Sequence, residues 1–140
     1  MSPATPSPAC AVARARILVV DDNTSVRTVV VYLLRRAGHD AATAADAESA
    51  RQLGGFSQWD LLVLDVDLPG MSGPELYRQI STIGPAPPVI FISGRPRDLR
   101  QLGMGAPPWV KFMAKPFQVE DFLATVGESL RLESGQTPMD

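Results

Sequence analysis

The stretch "LLVLDVDLPGMSG", residues 61–73, decides the fold. Its first four residues are apolar, the length and composition of a strand buried on both faces, and they deliver the chain directly onto Asp65, with Asp67 two residues further. A carboxylate at the rim of a hydrophobic sheet is costly unless something neutralises it. The stretch therefore requires a cation, a phosphoryl group or both beside Asp65. Pro69 and the glycines around it break the strand, and Pro74 is well placed as the first residue of a helix ending near Thr82.

The same alternation extends in both directions. Upstream, "ILVV" at 17–20 is a buried strand, and Val26, Val30, Leu33, Leu34 and Ala37 form one apolar helical stripe, stopped by the left-handed conformation expected of Gly38. "AAT" at 41–43 is a weaker strand, followed by a weak helix over Ala47, Ala50 and Leu53 that Asp46 is placed to cap. Downstream, "PAPP" at 85–88 breaks the chain before the strand "VIFI" at 89–92. Pro96 opens a short helix through about Met104, cut off by "GMGAPP". A fifth strand, "WVKFM" at 109–113, leads to "AKPF", and Val119, Phe122, Leu123, Val126 and Leu130 mark a last helix. Five strands and five helices in strict alternation, joined by right-handed crossovers, predict an α/β domain. Its core is a doubly wound, five-stranded parallel sheet covered on both faces, a three-layer sandwich with its ligand crevice at the carboxyl ends of the strands.

Composition sets the limits. A chain of 140 residues, 45% hydrophobic and 20% charged, suits one globular domain, assigned here to residues 14–132. Residues 1–13 and 133–140 are Pro-, Ala- or Ser-rich segments that read as flexible tails. A net charge of −2 offers no basic stripe for nucleic acid. No apolar run approaches the roughly 18 residues of a membrane span, and the N-terminus lacks the pattern of a signal peptide. The single cysteine, Cys10, cannot form an internal disulfide. A cytoplasmic protein is the default expectation.

The strand assignments alone place Asp21, Asp22, Asp65, Ser93 and Lys115 at one end of the sheet. Carboxylates this close raise one another's pKa, and a hard divalent cation with oxygen ligands resolves the conflict. Magnesium fits, since it accepts one or two carboxylates together with waters and phosphate oxygens.

With "VVDDN" after the first strand, "LLVLDVDLPGMSG" around the third, "VIFISG" at the fourth and "KPF" after the fifth, the chain resembles the receiver domain of bacterial two-component response regulators, the single-domain chemotaxis-regulator type in particular. The resemblance covers roughly residues 15–132 and implies the flavodoxin-like form of the fold. It further implies that Asp65 accepts a phosphoryl group from a phosphohistidine on a sensor histidine kinase or histidine phosphotransfer protein, or from a small phosphodonor. Asp22 is then a direct Mg2+ ligand, Asp21 a ligand mainly through water, and Asp67 a ligand through its carbonyl. Ser93 and Lys115 hold phosphoryl oxygens, and the Lys115–Pro116 bond is typically cis. Ser93 and Phe112 form the switch, although Phe112 lacks the hydroxyl common at its position. Asp67 and Arg95 tune the lifetime of the phosphoryl group. Such a protein is no enzyme beyond catalysing its own phosphorylation and dephosphorylation; it contacts an unknown downstream protein and neither nucleic acid nor membrane.

Taken singly, each feature has a plainer explanation. Asp21 and Asp22 would serve as acids at a helix N-terminus, Lys115 as a solvated lysine, and Ser93 before Gly94 as a turn residue. Their convergence carries the reading. His39, next to Gly38, is expected to be a helix-end cation or a surface residue without a role. Two rival functions remain. One is a haloacid-dehalogenase-like phosphatase with Asp65 as nucleophile and Asp67 as general acid, against which stand Pro69 after Leu68 and the mid-chain position of the motif. The other is a receiver-like binding module that is never phosphorylated.

Overall fold

A computed structural model of the protein, which describes residues 14–133, contains β1 (Arg16–Val20), α1 (Thr24–Arg36), β2 (Asp40–Ala44), α2 (Ala47–Arg51), a 3-10 turn (Phe56–Gln58), β3 (Leu61–Asp65), α3 (Gly73–Ile83), β4 (Val89–Ser93), α4 (Pro96–Gly103), β5 (Val110–Ala114) and α5 (Val119–Glu133). The five strands form one parallel sheet in the order β2-β1-β3-β4-β5. The order reverses direction after β1, so β1 and β3 flank the switch point at which open α/β sheets bind ligands. No helix among the described residues is long and apolar enough to cross a membrane.

Every residue of β3 and of β4 is buried, as is β1 after Arg16, which is why these strands appear as continuous apolar runs. Alternate residues serve two cores. Leu18, Val20, Leu62, Leu64, Val89 and Phe91 pack with Ala47 and Ala50 of α2 and with Leu76 and Ile80 of α3. Ile17, Val19, Leu61, Val63, Ile90 and Ile92 pack with Val30 and Leu34 of α1 and with Phe122, Val126 and Leu130 of α5. Each fully buried side chain of this kind contributes about 1.5–3 kcal/mol of burial free energy.

Helix starts follow local chemistry. Asn23 caps α1 by accepting from Val26 N, and Asp46 caps α2 by accepting from Ser49 N, as expected. Gly38 has φ of 97°, the left-handed conformation anticipated after α1. In α3 the cap is Ser72, reciprocally bonded with Glu75, so the helix begins at Gly73 and Pro74 is its second residue rather than its first.

Three further expectations are corrected. Strand β5 runs from Val110 to Ala114, one residue later than "WVKFM", because Val110 N bonds back to Pro107 O and Trp109 meets the sheet only through its carbonyl, which accepts from Val89 N. Lys115 thus follows the strand directly. Helix α5 continues to Glu133, assigned above to the tail; the rest of that tail and residues 1–13, Cys10 among them, lie outside the described residues.

His39 is the third correction. It is buried, and its Nδ1 accepts the Ala15 N–H at 3.1 Å, so the imidazole is neutral and ties the start of β1 to that of β2. Burial lowers its pKa against the opposing charges of Asp40 and Asp60; Arg14, paired with Asp40 at 2.7 Å, lies on the same edge. A histidine depressed in the folded state contributes stability that is complete above the unfolded pKa, about 6.5, and is lost as pH falls through the folded value. Between pH 7 and pH 5 the parent should therefore lose more stability than His39→Asn, which keeps an acceptor but does not titrate. The expected difference is on the order of 1 kcal/mol, the scale of one hydrogen bond. Urea unfolding at the two pH values measures it, and parallel losses in both proteins would refute it.

Candidate functional site: an acidic crevice at the strand ends

Strand β1 hands over to Asp21, which is 2% exposed, and to exposed Asp22; β3 ends on Asp65, 4% exposed. One carboxylate oxygen from each of these three residues lies within 4.8 Å of the other two. Lys115, delivered by β5, places Nζ 3.0 Å from Asp21 Oδ2 and 3.3 Å from Asp65 Oδ2. Its backbone N–H donates to Ser93 O at 2.8 Å, which fixes the lysine to the end of β4, and the Lys115–Pro116 bond is cis. Asp67 turns its N–H to Asp65 Oδ1 at 3.1 Å.

Charge in the crevice is unbalanced, three carboxylates facing one ammonium. Burial raises the pKa of Asp65; the Asp67 N–H draws it down, the Asp21 charge pushes it up and Lys115 opposes, with a net rise. For Lys115 burial works against the charged form, but hydrogen bonding and charge from Asp21 and Asp65 outweigh it, and its pKa is raised. Lys115 is thus a permanent cation beside a carboxyl that is strained when ionised. Asp21 Oδ2 is buried, and its contact is the Lys115 ammonium at 3.0 Å, which leaves lone pairs on that oxygen free. A buried carboxylate oxygen with unused lone pairs, two more carboxylates within reach and an all-oxygen donor set fit a magnesium ion.

Other expected participants stand apart. Ser93 is fully buried, and its Oγ accepts the Arg95 N–H at 2.9 Å within its own turn; its hydroxyl is committed to the β4–α4 connection and makes no bond to Asp65. The Asp67 carboxylate points outward to Arg95, with Oδ2 4.0 Å from Nε and both side chains exposed, a pair worth little on its own. Phe112 is half-buried, stacked on Phe91 with ring centroids 6.0 Å apart.

Sequence reasoning missed Gly73. A β-carbon there would overlap the Asp65 carbonyl oxygen, so α3 reaches the backbone of Asp65 only because residue 73 has no side chain. The signal lay in "MSGPE", where a glycine immediately follows a helix-capping serine. Gly73→Ala must displace the end of β3 or the start of α3, and we expect it to cost about 1–3 kcal/mol. Chemical denaturation measures that cost, and unchanged stability would show that the two elements separate freely.

With this geometry described, the chain can be compared with known proteins. Residues 17–127 match the family model described as response regulator receiver domain. The chain is 34% identical over 119 residues to the alkaline phosphatase synthesis transcriptional regulatory protein PhoP of Bacillus subtilis, covering 83% of this chain and 48% of that protein. It is 35% identical over 120 residues to the sensor kinase CckA of Brucella abortus, covering 83% of this chain and 12% of that protein. It therefore spans about half the length, or less, of these curated relatives. Among solved structures, the chemotaxis protein CheY4 of Vibrio cholerae superposes with a TM-score of 0.72 at 28% identity, covering 84% of this chain and all of that one.

Proposed function

The chain belongs to the response regulator receiver domain family, phosphoacceptors of phosphorelay signalling, and from that premise we propose that Asp65 is its phosphoacceptor, served by Mg2+ and Lys115. The observation that carries this reading is the meeting of Asp21, Asp22 and Asp65 within 4.8 Å, with Lys115 Nζ 3.3 Å from the nucleophilic carboxylate.

Asp65 attacks the phosphorus of a phosphohistidine on a partner kinase, or of a small phosphodonor. A new carboxylate O–P bond forms as the donor's own bond to phosphorus breaks, N–P in phosphohistidine or O–P in acetyl phosphate, and the imidazole or acetate leaves with the electron pair. No general base is needed for an ionised nucleophile. Catalysis here is positioning and charge neutralisation, since the transition state is loose and its charge spreads over the equatorial oxygens. Asp21, Asp22, Asp65 and the Asp67 carbonyl would hold a magnesium ion, which would supply further charge neutralisation. Lys115 supplies a cation 3.3 Å from the Asp65 carboxylate, and the Asp67 N–H orients the attacking carboxylate. Ser93 joins by redirecting its O–H, which faces Arg95 O at 3.4 Å, toward a phosphoryl oxygen, and this couples phosphorylation to the β4–α4 connection; Phe112, stacked on Phe91 of β4, is the side chain we expect to respond. Water attacking the same phosphorus ends the signal.

Mixing the protein with acetyl phosphate and Mg2+ tests this reading. We expect one phosphoryl group per chain by intact mass, prevented by EDTA. Steady hydrolysis of added phosphoesters would instead indicate the phosphatase, and no mass shift the binding module. The Asp67–Arg95 pair sits at the mouth of the crevice. Asp67→Ala and Arg95→Ala are therefore expected to admit water and shorten the lifetime of the phosphoryl group several-fold while leaving the fold intact, measured as decay of the mass adduct. Decay at the parent's rate would end that role.

A further inference from the structure

Among the three acids, Asp22 has the least support. Asp21 is held by Asn23 N and Lys115, and Asp65 by Asp67 N and Lys115. Among the described residues Asp22 has no side-chain hydrogen bond or ion pair, so the path of its backbone alone places its carboxylate. Asp21 N–H anchors that path to β2 by donating to Ala44 O at 3.1 Å, and one side chain grips it from α1. Arg27, in the second half of the first turn of α1, folds back so that Nη1 donates to the Asp21 carbonyl, and Nη2 donates to Thr24 Oγ1 at 3.2 Å. The two bonds close a ring around Asp22 and Asn23. An arginine so near a helix N-terminus opposes the helix dipole, since that end already carries partial positive charge. Its place there calls for a compensating purpose.

We propose that Arg27 is a positioning residue for the phosphoryl-transfer site: its guanidinium clamps the β1–α1 connection and thereby holds the Asp22 carboxylate where a divalent cation can join it to Asp21 and Asp65. The inference rests on the crevice being a magnesium-dependent phosphoacceptor site. The planar fork matters because it addresses two oxygens from one rigid group, whereas a lysine would reach only one at a time. The remaining bonds of the turn, Asn23 N to Asp21 Oδ1 at 2.8 Å and Val26 N to Asn23 Oδ1 at 3.0 Å, restrain Asn23 and leave the Asp21 carbonyl to Arg27.

A purely electrostatic role predicts the opposite sign. A cation next to a metal site repels the metal, so its removal would tighten binding. The direction of change therefore separates clamp from repulsion. Calorimetric titration of MgCl2 into the parent, Arg27→Ala and Arg27→Lys at fixed ionic strength reads it. The clamp predicts that Arg27→Ala weakens binding about tenfold, the scale of losing an orienting partner of a metal ligand. Arg27→Lys, charged but not forked, should fall between. In acetyl phosphate reactions the half-saturating Mg2+ should shift in parallel, while the rate at saturating Mg2+ stays near that of the parent. Binding by Arg27→Ala as tight as the parent's, or tighter, overturns the clamp. If Arg27→Ala fails to fold, Arg27→Lys decides by the same criterion. A parent that binds no Mg2+ at all defeats the reading of the crevice itself, which a normal parent beside unaltered variants does not.

Discussion

Asp65→Asn is expected to abolish phosphoryl incorporation from acetyl phosphate while raising the melting temperature of the metal-free protein at neutral pH. The first effect follows from removing the proposed nucleophile: a neutral amide cannot form the acyl phosphate. The second follows from the cost of the charge. Burial and the Asp21 carboxylate raise the pKa of Asp65 against the pull of the Asp67 N–H and Lys115. A carboxyl raised in the folded state contributes stability that is complete below its unfolded pKa, about 3.9, and is lost as pH rises through the folded value. At pH 7 the ionised side chain is a burden on the fold, and Asn removes it while keeping an acceptor for Asp67 N. We expect a gain of about 2–5 °C at pH 7, fading as pH falls below about 4. Saturating Mg2+, which stabilises the parent by binding its native state, narrows or reverses the difference. Phosphorylation of Asp65→Asn at the parent's level would refute the assignment of the nucleophile, and a lower melting temperature would refute the electrostatic account.

Lys115→Ala carries the second large effect. Nζ is the one cation of the described residues in contact with both Asp21 and Asp65, so its loss leaves two buried carboxylates facing each other. Breaking a fully buried ion pair from one side costs about 3–5 kcal/mol. Because this ammonium is 24% exposed, a loss of about 2 kcal/mol is expected in the metal-free protein, smaller in saturating Mg2+. The rate of phosphorylation falls further, by about 100-fold, as for removal of one preorganised group that stabilises developing charge. Rapid-quench phosphorylation and urea unfolding with and without Mg2+ measure the two effects. A rate within threefold of the parent would show that the lysine has no part in the chemistry.

The fold was legible because its information is local. Buried parallel strands write themselves as short apolar runs, and "LLVLD", "VIFIS" and "ILVV" proved to be the three inner strands of the sheet. The acids were legible for the same reason, since a polar residue at the end of such a run lies on the ligand-binding rim. What the sequence withheld depends on contacts between distant segments. Trp109 has the composition of a strand residue, but the turn after Pro107 excludes it from β5. His39 resembles a surface cation until the Ala15 N–H arrives from 24 residues away to bond it. Ser93 was placed at the right strand end, yet the direction of its hydroxyl is set by the Arg95 backbone. Gly73 and Arg27 meet the backbone of Asp65 and Asp21 at a carbonyl oxygen in each case, contacts that leave no periodic trace.

Acids from β1 and β3 are expected to gather around one divalent cation, with Lys115 beside them. Replacing Mg2+ with paramagnetic Mn2+ and recording amide line broadening in an assigned spectrum tests it most directly. Trace Mn2+ should erase the signals of Asp21, Asp22, Asp65, Val66 and Asp67 first, and excess Mg2+ should restore them. Broadening centred on any other part of the surface, or none at these residues, would contradict it.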